Sequence, residues 1–299
     1  MSVLISGAGG FLGRHLLQQI ARDDWGNVIA VSSHPEKLDA FQQMPSITVM
    51  SNDAFMESTR DLSDFTLIHL AYVRSHIFDH IRDNCIWTRR LITHCADQGL
   101  TRIIHASSQS VYDRHRISPA KETDLVTVDT AYDMGKYFLE HWITDACRLY
   151  GMHYMHLRMG SLVGPDFRRR ITTRLVEQAL DTGAISVHLN GQVMSYTHVN
   201  DMVDAILRAT SMRDMTGWDA TYNVGTDETY TIETLAEILE KALADYGKTI
   251  NITKIPEAPN GINSSLDATL FRDRTGWRPV IRLPDIIDEA IRLHMGSVM

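Results

Sequence analysis

Cysteine is scarce: Cys85, Cys95 and Cys147 are the only three in 299 residues. An odd, widely spaced set offers neither a disulfide framework nor a zinc or redox pattern, and it suits a reducing cytoplasm. A basic excess is also missing. The net charge of -8 and the pI near 5.9 argue against a nucleic-acid surface, and no nucleic-acid partner is expected. No apolar run approaches membrane-spanning length, so no membrane partner is expected either. Met1 to Gly7 has no basic stretch ahead of its short apolar run, unlike a signal peptide. Repeats and low-complexity tracts are absent. The fourteen histidines keep no ligand spacing, and no metal site is predicted. What remains, 44% hydrophobic and 22% charged, is the composition of a globular chain long enough for a substantial core.

The apolar run Val3-Leu4-Ile5-Ser6 reads as a buried parallel strand. It leads into Gly7-Ala8-Gly9-Gly10-Phe11-Leu12-Gly13 and then an amphipathic helix carrying Leu16, Leu17 and Ile20. In that context Gly7 permits the tight turn, Gly10 lets the backbone approach a pyrophosphate, and Gly13 lets the helix pack close to the sheet. Phe11 and Leu12 flank the same cofactor position. A second strand, Asn27 to Val31, ends at Ser32, Ser33, His34 and Lys37. An NAD-selective fold usually has a carboxylate there for the ribose 2′-hydroxyl. Its absence tilts the expectation slightly towards NADP(H), with NAD(H) as the alternative. Asp53, beyond the strand Ile47 to Met50, is placed near the adenine.

Thr66 to Ala71 and Arg102 to Ala106 read as further strands. They deliver Leu70, Ala71 and Tyr72, and then Ser107, Ser108, Gln109 and Ser110, to one sheet edge, where ligands of doubly wound sheets bind. The predicted fold class is therefore α/β, a Rossmann-type doubly wound parallel sheet with a smaller C-terminal lobe. Residues 1–160 form the dinucleotide-binding part, completed by about 190–225, and residues 161–189 and 226–299 form the lobe. Tyr132 and Lys136 stand four apart on a predicted helix, one turn above each other. Of the ten tyrosines only Tyr132 has a lysine at that spacing. A phenol titrates near ~10, and an adjacent cation is expected to lower that value until the group can give and take protons near neutral pH.

Together these features resemble the extended short-chain dehydrogenase/reductase family, in its NAD(P)-dependent nucleotide-sugar epimerase/dehydratase branch. The resemblance rests on the Gly7/Gly10/Gly13 turn, Ile68 to Ala71, Asn84, Ser107 to Tyr112 and the Tyr132/Lys136 pair. It continues through Leu157 to Pro165, His198-Val199-Asn200-Asp201, Tyr222 to Gly225 and Gly276 to Pro279. It implies a catalytic set of Ser108, Tyr132 and Lys136, with Asn84 ordering a helix or a relay water. Tyr72, Ser108, Gln109 and Ser110 are then expected to face the substrate. A dehydratase of this family carries Asp-Glu where this chain has Gln109 and Ser110, so water elimination is not expected.

The resemblance implies a nucleotide sugar, or a related carbonyl compound, as substrate. The Asn-Ser-x-Leu stretch at Asn263 to Leu266 resembles 4-ketoreductases and makes a 4-keto-deoxysugar reductase the leading expectation. A 4-epimerase with tightly bound NAD is the runner-up, and a non-catalytic dinucleotide sensor is the third. Met194 stands where the family usually grips the sugar-nucleotide pyrophosphate with arginine. The cluster Arg168, Arg169, Arg170 and Arg174 is the candidate replacement, Arg168 and Arg174 being its marked members. The resemblance also implies a cytoplasmic homodimer through the Asn84 and Tyr132 helices, with Ile86, Trp87 and Phe138 as candidate contacts.

Overall fold

The computed structural model describes residues 1–23, 25–165, 167 and 170–297. Strands with no polar alternation need cover on both faces, and the chain supplies it by alternating strands with helices. β1 (Ser2–Ser6) leads through the glycine turn into α1 (Phe11–Asp23), β2 (Val28–Ser32), β3 (Ile47–Ser51), α2 (Asn52–Met56) and β4 (Phe65–His69). α3 (Phe78–Asp97), β5 (Arg102–Ser108), α4 (Ala131–Tyr150) and β6 (His153–Met159) follow. Then come β7 (Ser161–Val163), α5 (Ile171–Thr182), β8 (Ala184–Leu189), β9 (Tyr196–His198), α6 (Val199–Ser211) and β10 (Ala220–Val224). α7 (Ile232–Asp245), β11 (Asn251–Pro256), α8 (Thr269–Thr275) and α9 (Leu283–Ser297) complete the described chain.

Seven strands make one parallel sheet in the order β3-β2-β1-β4-β5-β6-β10. The chain reverses direction across the sheet between β1 and β4. That switch point opens a crevice outside the carboxyl ends of the strands, where this Rossmann-like fold binds ligands. Apolar side chains of α1 and α6 fill one face, including Leu16, Leu17, Met202 and Ile206. Those of α3 and α4, among them Leu91, Ile92, Leu139 and Ile143, fill the other. A separate core of α5, α7, α9 and the β8/β11 pair holds Val176, Leu239 and Ile287 together. Phe271 of α8 and Trp277 pack into the sheet's core instead. The segment 269–277, expected in the lobe, thus packs with the sheet.

Several motifs of the family resemblance have structural work. Gly7 sits at φ +76°, and a Cβ there would meet the Ala71 backbone N at 2.6 Å. A Cβ on Gly13 would meet the Gly7 carbonyl O at 2.4 Å. Only glycine permits both the turn and the close approach. Asp201 accepts backbone N–H bonds from Val280 and Ile281, while its carbonyl takes the Trp277 indole N–H. These bonds tie the C-terminal segment to α6. The register pairs His69 with His105 and His105 with His156 across three strands. All three imidazoles are buried.

Candidate active site

The Thr130 side chain accepts from the Asp133 N–H while the Asp133 carboxylate takes the Thr130 N–H, a capping box that starts α4. The first turn of α4 then presents Tyr132, and the second presents Lys136. Opposite them β5 ends at Ser108, whose hydroxyl lies 2.8 Å from that of Ser110. The turn after β5 is held from below by a buried polar chain. Ser107 donates to Glu140, Glu140 receives two bonds from Arg158 at 3.0 and 2.7 Å, and Arg158 donates to the Tyr112 hydroxyl at 2.9 Å. Tyr112 in turn donates to Asn223 at 2.7 Å. Each buried polar group has a partner, which is what makes such a network stiff.

Ser108, Tyr132 and Lys136 line one cavity of about 240 Å³ together with Phe11, Leu12, Leu70, Tyr72, Gln109 and Ser110. The start of α1, just past the glycine turn, and the candidate catalytic side chains therefore share one crevice, while Gly7, Gly10 and Gly13 are not in its lining. Met159 to Leu162, Phe167, Arg74 and Arg170 also line it. Phe167 stacks on Phe11 with ring centroids 4.7 Å apart. No carboxylate lines this cavity among the described residues.

The electrostatics differ from the expectation that Lys136 acidifies Tyr132. Burial raises the Tyr132 phenol above its usual value; hydrogen bonding with Ser108 and the guanidiniums of Arg74 and Arg170 pull the other way. The leading opposing charges are these two guanidiniums rather than Lys136. Its ammonium donates to the Ala106 carbonyl at 2.7 Å and sits 4.0 Å from the centre of the Tyr72 ring. Burial lowers Lys136 to about 7, with Glu140 and Cys85 opposing. The Tyr132 cations are Arg74, whose Cζ lies 5.5 Å from the ring centre, and Arg170. Tyr72 meets the Tyr132 ring edge-on, with centroids 5.5 Å apart.

Other candidate residues lie apart. Asn84 does not line the cavity: its carboxamide accepts from the Val73 N–H and donates to the Val73 carbonyl, both at 3.0 Å. These two bonds fix the backbone between Tyr72 and Arg74. Ala71 is not in the lining; its N–H lies against Gly7. Ser32 is buried and accepts from the His34 N–H at 3.0 Å. Ser33, His34, Lys37 and Asp53 are exposed, with His34 beside the Glu36 carboxylate. Arg174 is exposed on α5 and outside the cavity, while Arg168 and Arg169 lie outside the described residues. Of the described cluster members it is Arg170 that reaches the cavity. Sequence reasoning missed Arg74 and Phe167. The available signal for Arg74 was its place two residues past Tyr72, at the same sheet edge.

Met194 is buried in the lobe and its sulfur accepts from the Tyr196 hydroxyl, so no cation replaces arginine at that point. The Asn263 to Leu266 stretch is also structural. Asn263 and Ser265 bond each other, and the Ser265 carbonyl takes two bonds from Arg116. None of these four residues lines the cavity. Trp87 turns into the α3/α4 core, whereas Ile86 and Phe138 stay about half exposed.

The chain matches the family model described as "NAD dependent epimerase/dehydratase family" over residues 3–225. Among curated relatives, UDP-glucuronic acid decarboxylase 5 of Arabidopsis thaliana is 26% identical, covering 99% of this chain and 91% of that protein. UDP-glucose 4-epimerase of Mycolicibacterium smegmatis is 25% identical, covering 99% of both. Among solved structures, UDP-glucuronic acid 4-epimerase from Bacillus cereus, in complex with UDP-glucuronic acid and NAD, superposes with a TM-score of 0.84 at 19% identity. It covers 99% of this chain and all of that one. A glycine turn, a Ser/Tyr/Lys set on one crevice and a family match across three quarters of the chain lead to one conclusion: this protein is an enzyme of the NAD dependent epimerase/dehydratase family.

Proposed function

We propose that this enzyme transfers a hydride at a ring carbon of a nucleotide-activated sugar, with net reduction of a 4-keto-deoxysugar as the leading reaction. The observation that supports this reading is the place of Tyr132 in one crevice with Ser108 and Lys136, where its phenol is the proton donor. Held above the usual phenol value by burial, it is a neutral O–H at physiological pH. That is the form needed to protonate an oxyanion as a carbonyl is reduced. Ser108 bonds the same oxygen, and Lys136 holds the ribose of the cofactor beside it. The residues present fit a dinucleotide: the α1 N-terminus offers N–H groups to a diphosphate, and the same crevice continues to Tyr132. The bound nicotinamide supplies the hydride. Among the described residues the lining has no carboxylates and so offers no acid–base pair for water elimination.

NADP(H) is the proposed cofactor, because β2 ends without a carboxylate to repel a 2′-phosphate and Lys37 stands nearby. A 4-epimerase using NAD is the second reading. It is favoured by the position of Asn263 to Leu266, which bring no group to the cavity, and by the names of the relatives. Both readings meet one test: purified enzyme, a 4-keto nucleotide sugar and NADPH, followed at 340 nm. Stoichiometric NADPH oxidation, with NADPH bound at least tenfold tighter than NADH, is expected. Conversion of a 4-hydroxy nucleotide sugar into its C4 epimer without net absorbance change, together with no NADPH oxidation by the ketone, sinks the reductase in favour of the epimerase.

The proposed assembly is a homodimer through α3 and α4, on which Ile86 and Phe138 expose apolar surface. Light scattering is expected to give twice the chain mass of 33.9 kDa, and Phe138→Glu to halve it. A wild-type monomer at micromolar concentration contradicts the assembly.

A further inference from the structure

We propose that Tyr72 is a positioning residue for Lys136: the face of its ring, seated against Gly135, keeps the Lys136 ammonium charged inside the protein. The inference deepens the reading above, in which Lys136 holds the cofactor, and does not depend on which sugar is reduced.

Lys136 is 5% exposed. A buried ammonium without a counter-ion gives up its proton readily, and burial lowers Lys136 to about 7. Glu140, one turn further along α4, raises the value, yet its oxygens are bonded by Ser107 and Arg158. Two direct contacts remain to hold the charge. The Ala106 carbonyl accepts from Nζ at 2.7 Å. The centre of the Tyr72 ring lies 4.0 Å from Nζ, well inside the ~6 Å reach of a cation–π attraction, which is stronger for a desolvated cation than for an exposed one. An ammonium has three N–H groups, so these contacts leave a donor for a cofactor hydroxyl.

The ring meets Lys136 as a neutral π face rather than as a phenolate. Burial raises the Tyr72 phenol well above its usual value, with Cys85 and Tyr132 adding to the rise and an Asn84 hydrogen bond opposing it. The ring is also held in place. A Cβ on Gly135 would stand 2.2 Å from the Tyr72 hydroxyl and 2.5 Å from Ile81 Cγ2, so the absence of a side chain there admits the tip of the ring. Tyr132 packs at a right angle to it, with centroids 5.5 Å apart. The other titratable groups that face Lys136 are Cys85 of α3, His69 of β4 and His105 of β5. Burial keeps both imidazoles and the Cys85 thiol uncharged at neutral pH, so none of them replaces the ring.

The test is a pH titration of Lys136 by NMR, on the whole enzyme isotope-labelled at lysine Cε, with Lys136→Met identifying the signal. The wild-type midpoint is expected near 7. Tyr72→Phe, which keeps the face and loses only the hydroxyl, is expected to share it. Tyr72→Leu is expected to titrate about one pH unit or more lower, the tenfold loss of protonation that follows when a desolvated cation loses its ring. Tyr72→Met is a second ring-free replacement should the leucine variant fold poorly. An unchanged midpoint in the ring-free variants overturns the inference. A rise towards the ordinary lysine value, which makes the ring a cover against water, also overturns it. So does an equal fall in Tyr72→Phe, which assigns the effect to the hydroxyl. Calorimetric titration with NADPH over the same pH range tests the reading above separately. If the midpoint falls in the ring-free variants while NADPH affinity ignores it, the action of Tyr72 on Lys136 stands and the hold of Lys136 on the cofactor fails.

Discussion

Tyr132→Phe is expected to lower kcat by about a thousandfold, within the range of a lost general acid, while the fold and cofactor affinity stay intact. The phenol ring packs against Tyr72 and under Arg74, contacts that phenylalanine keeps. What disappears is the O–H beside Ser108. Because burial holds that hydroxyl above the ordinary phenol range, its protonation does not change through neutral and mildly alkaline pH. For reduction, a Tyr132-limited rate is therefore expected to be level from pH 7 to 9 as far as this group is concerned. Lys136, lowered to about 7, does titrate there, and any limb near pH 7 should vanish in Lys136→Met. Turnover by Tyr132→Phe within tenfold of wild type, under saturating cofactor and substrate, rules out Tyr132 as the proton donor.

Acidification should destabilise the fold well before its carboxylates protonate. His69, His105 and His156 are 2%, 1% and 1% exposed and lie across adjacent strands. Ser6 Oγ and Thr88 Oγ1 flank His69 at 2.6 and 2.9 Å. His105 and His156 approach through their Nδ1 atoms at 3.2 Å, with one donating to the other, and Thr144 meets His156 at 3.0 Å. His105 Nε2 is buried without a partner among the described residues. Burial lowers His69 to about 3 and His156 to about 4, and His105 falls too, through burial and then the His156, Lys136 and His69 charges. Glu140 raises His156, and Arg158 opposes it.

A base with a depressed folded value is neutral in the fold and protonated in the unfolded chain below about 6.5. Its contribution is present above that pH and is lost as pH falls towards the folded value. Each histidine then adds a slope of about 1.4 kcal/mol per pH unit. Urea unfolding between pH 7 and 5 should show stability falling steeply below pH 6.5. His156→Gln, which keeps a donor and an acceptor without a titrating ring, should remove about one such slope. Parallel stability curves for wild type and His156→Gln would contradict this account.

Local rules carried much of what could be read in advance. The apolar strands, the glycine turn and the helix opened by Thr130 depend on neighbours in the chain, so the sheet and its crevice were legible from residue patterns. The Tyr132/Lys136 spacing was legible for the same reason, and the family resemblance added Ser108 to it. What Lys136 does was not. Four-residue spacing places it beside Tyr132, but the depth of α4 against β5 decides that its ammonium meets the Ala106 carbonyl and the Tyr72 face.

The amino-acid sequence alone determined the fold class and the glycine turn, because each follows from short-range periodicity and backbone geometry, and its family resemblance singled out Tyr132 as the proposed acid–base group. Tertiary structure alone decided which charges surround that tyrosine. Arg74 follows β4 and Arg170 precedes α5, nearly a hundred residues apart in sequence. Only the closing of the lobe over the sheet edge brings both to one phenol, and the Coulomb energy between charges depends on distance in space.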